Sequence, residues 1–205
     1  MNAIVRLAGV AVVAFTIAPA AHAIVQWTNP SGTALDFTWS NGYTNSGYFG
    51  NPVIAGNTFI FTPSNFGATF NSPKTDTLQV TIAAINGPIT GVIIREFGNR
   101  SHTSGNVISG SLFVRDLNVP DFPQFQDPLV VTNGTGSPIP WSAIAVRNGI
   151  SMNSLQLTLV NNMSAALSGR WNEKTRIEIE IVPTPAAATL LAGAGLIASA
   201  RRRRR

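Results

Sequence analysis

Residues 155–160 read LQLTLV and residues 176–181 read RIEIEI. In an extended chain successive side chains point to opposite faces, so Leu155, Leu157 and Leu159 share one side while Gln156 and Thr158 take the other. In the second stretch Ile177, Ile179 and Ile181 face one way and Arg176, Glu178 and Glu180 face out. A period of 3.6 residues would scatter both apolar sets around a helix. Both stretches are half-buried β-strands.

The same patterning, or short runs of β-branched and aromatic residues between clusters of Gly, Pro, Asn and Ser, recurs along the chain. It marks strands at 24–28, 34–40, 58–62, 77–84, 90–97, 107–117, 141–147, 154–161 and 175–182. Nine strands at this spacing predict an all-β domain over 24–182. Its expected architecture is a two-sheet antiparallel β-sandwich, jelly-roll-like or immunoglobulin-like, in preference to a closed barrel. No stretch of this domain combines an apolar helical stripe with caps; residues 161–168 are the one place that admits a single turn or a short helix. Long loops are expected at 40–57 and 118–140. The second contains Pro120, Pro123, Pro128, Pro138 and Pro140, which remove backbone donors repeatedly and argue against a central strand.

The chain carries fourteen Lys and Arg against nine Asp and Glu, a net charge of +5. Arg6 and the run from Arg201 to Arg205 lie at the two ends. Between them residues 24–182 hold eight basic and all nine acidic side chains, a balance of −1. Those basic residues are scattered singly, whereas phosphate recognition needs them gathered on one face, so nucleic acid is not an expected partner. The sequence has no cysteine. Disulfides, thiol catalysis and cysteine-based zinc sites are therefore excluded, and the domain rests on its own core.

Enzymatic chemistry finds little to work with. Outside the leader the one histidine is His102, with no G-x-S-x-G turn in the chain, which is too little for a Ser-His-Asp relay. Glycoside hydrolysis needs two opposed carboxylates, and no pair stands out among Asp36, Glu96, Asp116, Asp121, Asp127, Glu173, Glu178 and Glu180. Calcium takes oxygen ligands alone, and Asp116, Asn118, Asp121 and Asp127 fall close together at a strand-to-loop junction, without the spacing of an EF-hand. A carbohydrate site would use flat rings beside polar groups. Trp39, Tyr43 and Tyr48, set among Asn41, Asn45 and Asn51, supply that mixture in and before the first long loop.

The ends speak of location. Residues 1–23, MNAIVRLAGVAVVAFTIAPAAHA, have one basic residue, an apolar run, Pro19 and an A-x-A site formed by Ala21 and Ala23. This is the pattern of a secretory signal peptide, and its apolar run is too short for the roughly 20 residues that span a bilayer. At the other end Pro183-Thr184-Pro185 precedes an uncharged Ala/Leu/Gly stretch, 186–200, and then Arg201, Arg202, Arg203, Arg204 and Arg205. As a helix that stretch would reach about 22 Å, against a hydrocarbon core of about 30 Å, so spanning requires local thinning and snorkelling arginines. Basic residues are held on the cytoplasmic side, so Arg6 and the arginine run would keep both ends inside while the domain is exported.

This order of parts over residues 183–205, together with the leader, resembles a PEP-CTERM sorting signal in its Pro-x-Pro variant, of the planctomycete-like type, with Thr184 where the family usually has Glu. The resemblance implies processing by an exosortase, a membrane transpeptidase-like enzyme, transient or permanent anchoring in the inner membrane through the C-terminal helix, and association with exopolysaccharide at a bacterial surface. The expected function is a non-enzymatic, exported cell-surface or extracellular-matrix protein without a cofactor. The alternatives are a lectin-like carbohydrate-binding module, with calcium as its possible cofactor, and a secreted glycoside hydrolase.

Overall fold

A computed structural model describes residues 24–119, 121 and 123–184. Two antiparallel sheets face each other. The first contains β1 (Val25–Gln26), β2 (Gly32–Thr33), β3 (Phe37–Thr44), β7 (Lys74–Ala84), β9 (Asn106–Asp116), β10 (Phe125–Pro128) and β13 (Ser154–Ala165). The second contains β4 (Val53–Ala55), β5 (Thr58–Phe61), β6 (Gly67–Thr69), β8 (Ile89–Arg100), β11 (Val130–Asn133), β12 (Ile139–Met152) and β14 (Trp171–Pro183). The first sheet runs β1-β3-β7-β13-β9-β10, with β2 also on β3; the second runs β11-β12-β8-β14-β5-β4, with β6 also on β14.

The two template stretches lie at the centres of opposite sheets. Leu155, Leu157 and Leu159 of β13 and Ile177 and Ile179 of β14 are wholly buried, and Ile181 nearly so. Each such side chain contributes about 1.5–3 kcal/mol by leaving water. Toward β3 and β5 the core becomes aromatic, with Trp27, Phe37, Trp39, Phe59 and Phe61 in edge or tilted contacts at centroid separations of 5.4–6.4 Å. Three of the tryptophans, Trp27, Trp39 and Trp141, need glycine opposite them, at Gly42, Gly32 and Gly98. A Cβ on Gly42 would sit 2.2 Å from the Trp27 ring, and one on Gly98 would meet both the Trp141 ring and the Glu173 carbonyl.

Several boundaries differ from expectation. The admitted helix at 161–168 is instead the continuation of β13 to Ala165, paired with β9 along its length. Pairing with β9, and with β7 as far as Met163, gives its backbone groups ladder partners in place of helical ones, and it buries Met163 and Ala165 as well. Both expected loops hold strand: the first contains the end of β3 and all of β4, the second β10 and β11. Those added strands lie at sheet edges or beside them, where proline is tolerated. Among the described residues there is no helix. The expected signal peptide 1–23 with Ala21 and Ala23, Pro185, the apolar helix 186–200 and Arg201 to Arg205 lie outside the described residues.

Candidate functional site

The three aromatics expected to form a sugar platform go to three places. Trp39 is 9% exposed; its ring packs on Phe37 and Phe59, and its Nε1 donates to the Asn29 carbonyl. Asn41 has φ +55° and shifts the β3 register between Ser40 and Tyr43. Trp39 therefore pairs with inward Ile82, whereas Tyr43 pairs with outward Gln79. Tyr48 leans on Phe66, and Lys74 both lies over its ring at 4.5 Å and donates to its hydroxyl. The bulge, invisible in the composition of the strand, separates what a plain alternation would have kept on one face.

The oxygen-rich quartet is likewise divided. Asp127 is clamped by Arg147, whose Nε and Nη2 each donate to a different carboxylate oxygen at 2.7 Å. Asp116 accepts from the Asn118 backbone N–H in a local turn, and Asn118 and Asp121 are exposed. Among the described residues no group of three or more His, Cys, Asp or Glu is arranged to hold a metal ion. His102 lies in the exposed β8–β9 turn, where its carbonyl accepts from Asn106 Nδ2.

The beginning of the tail motif is part of the sandwich. Pro183 ends β14 opposite Ile89. The backbone N–H and the hydroxyl of Thr184 both donate to the Pro88 carbonyl, at 2.9 and 2.8 Å. The chain leaves toward its tail from the end of the sandwich that also carries the β7–β8 and β12–β13 turns. The β8–β9 and β13–β14 turns lie at the other end.

The outer face of the second sheet is partly apolar. Val53, Val130 and Ile144 are 69, 61 and 42% exposed, and Phe97 projects beside Ser142. Arg95, Phe97, Val130, Thr132 and Ile144 line an open hollow of about 200 Å³. A charged stripe crosses this face: Arg95 pairs with Glu180 and Arg176 with Glu178, both at 2.7 Å.

The densest chemistry lies between the sheets. Lys174 Nζ donates to Glu96 Oε2 at 2.5 Å and to Asn161 Oδ1 at 2.6 Å, while Asn161 Nδ2 donates to Glu96 Oε1 at 2.7 Å. Glu96 and Asn161 are 0% exposed, and the Lys174 side chain has no exposure either. Phe66 and Trp141 rings stand 4.9 and 5.9 Å from Nζ. Burial pushes the Lys174 ammonium below the ordinary lysine value, with the Glu96 charge and hydrogen bond opposing that shift. Lys174 and Glu96 come from neighbouring strands of one sheet, and Asn161 reaches them from the other.

Sequence reasoning missed this trio, although two members were in phase with the core. Asn161 continues the series Leu155, Leu157, Leu159, and Glu96 continues Val92, Ile94. Lys174 was masked by a bulge between Lys174 and Arg176, which puts residues 172 and 174 on the face later taken by 177, 179 and 181.

No protein-family model, no curated protein and no solved structure matches the chain.

Proposed function

We propose that this is an exported, non-enzymatic surface or matrix protein, a β-sandwich delivered and held by its C-terminal segment through an exosortase-like system. The observation that carries the reading is the junction at Pro183 and Thr184. The sandwich is closed off by the first residues of the Pro-Thr-Pro motif, so an anchored tail would hold one defined end of the domain toward the membrane. The opposite end, with the β8–β9 and β13–β14 turns, would then face outward. A body of charge −1 and no cysteine suits an extracellular domain whose basic residues outside it are spent on topology.

Of the two sandwich types expected, the jelly-roll-like one fits better. The long strands β7, β8, β9, β12, β13 and β14 alternate between the sheets. The long strands of immunoglobulin-type sandwiches instead stay in one sheet in consecutive pairs.

The test follows an epitope inserted in the β13–β14 turn, residues 166–170, in the native host. Antibody labelling of intact cells, with a shortened mature mass, is the expected result. A full-length product confined to the cytosol overturns the proposal.

A further inference from the structure

We propose that Lys174 and Asn161 become joined by an intramolecular isopeptide bond, Nζ to Cγ, in a single-turnover reaction promoted by Glu96 that releases ammonia and covalently links the two sheets. A structural ion pair would need only Lys174 and Glu96. Here a carboxamide completes a closed ring, and the one carboxylate touches both the attacking and the departing nitrogen: Oε2 lies 2.5 Å from Nζ and Oε1 lies 2.7 Å from Nδ2.

The reacting carbon is close. Nζ is 2.6 Å from Asn161 Oδ1, and a carbonyl carbon is one C=O bond away, so Nζ and Cγ are separated by at most about 3.8 Å. That is near the range in which bound reactants attack without a search. The absence of side-chain exposure keeps bulk water from competing for Cγ. Burial in this apolar shell also favours the neutral amine, the form that holds the lone pair needed for attack.

The atoms balance without any co-reactant. Glu96 takes a proton from the Lys174 ammonium, and the freed lone pair forms the Nζ–Cγ bond as the carbonyl electron pair moves onto Oδ1. Glu96 delivers its proton to Nδ2 and removes a second one from Nζ. The Oδ1 electron pair then re-forms the carbonyl, the Cγ–Nδ2 bond breaks, and ammonia leaves. It carries the remaining proton away as ammonium, so Glu96 returns to its starting charge. No group is oxidised or reduced.

The test is a tryptic digest of the purified, denatured full-length protein. Cleavage after Arg147, Arg170 and Arg176 places Asn161 in peptide 148–170 and Lys174 in peptide 171–176. A bond predicts one branched product, about 17 Da lighter than the two peptides together, uncut at Lys174 because its amine is acylated. Glu96→Gln should abolish the branch. Lys174→Met, which fills similar space without an amine, should abolish it whether or not E96Q folds. Free 148–170 and cleavage after Lys174 in folded wild-type protein would overturn the proposal. A branch that persists in E96Q would remove Glu96 from the reaction.

Discussion

Arg95 and Glu96 are consecutive residues of β8, and each belongs to an ion pair, yet strand alternation sends them into different surroundings. Arg95 meets Glu180 on the outer face, where their side chains are 39 and 37% exposed. Glu96 meets Lys174 between the sheets, where both side chains have 0% exposure. The outer pair is hydrated, screened by salt and free to exchange partners. The inner pair has lost its water and depends on complete hydrogen bonding, which Asn161 provides. One residue of register therefore decides whether a charge serves solubility or becomes a constrained reactive group.

The largest effect should come from breaking the inner side. Glu96→Ala leaves the Lys174 ammonium buried without its counter-charge and prevents the cross-link, and should destabilise the fold by at least about 3–5 kcal/mol, read from the denaturant midpoint. Asp76 tests an intermediate case. It is a buried carboxylate satisfied by backbone N–H groups of Ser46, Tyr48, Phe49 and Thr77. Asp76→Ala should cost about 1–3 kcal/mol and loosen residues 46–49, visible as faster amide exchange there. On the outer face Arg95→Ala should cost no more than about 1 kcal/mol, and raising salt should shrink the difference from wild type. A loss for R95A matching that of E96A would erase the contrast between the two faces.

The smallest expected effect is on pH dependence. Hydrogen bonds from Asn57 and Asn86 hold the Asp36 carboxyl below the ordinary value, with burial opposing weakly. Folding thus favours the charged form, so this contribution is complete above the unfolded-state pKa and disappears as pH falls through the lower folded-state value. Asp36→Asn should flatten that acid-side loss, as measured by thermal unfolding across acid pH, while leaving the outer and inner ion pairs unchanged.

The sheets and much of the core could be read from Leu155, Leu157, Leu159 and Ile177, Ile179, Ile181, because a period of two leaves one side apolar wherever one face is buried. Bulges broke that rule. Asn41 rotated Tyr43 away from Trp39, and the irregularity after Lys174 reversed which parity pointed inward. Polarity misled as well: Asn161 reads as the end of a strand, yet it stays in phase with the leucines because Glu96 and Lys174 satisfy it from the opposite sheet. Such a partnership joins positions remote in sequence, and no local pattern encodes it. The Arg147 clamp on Asp127, which withdrew one member of the oxygen-rich quartet, is hidden for the same reason.

Strand β14 has a mechanical consequence. It hands the chain to the tail at Pro183 and carries Lys174 near its opposite end. A force arriving through an anchored tail would first strip β14 from β8 and β5, beginning at Pro183. With Nζ bonded to Asn161, that unzipping stops at Lys174 and the load passes into β13 at the middle of the other sheet. Only residues 175–183 could peel away, a segment about 30 Å long. A tether of that length would yield under a pull and hold the rest of the sandwich intact.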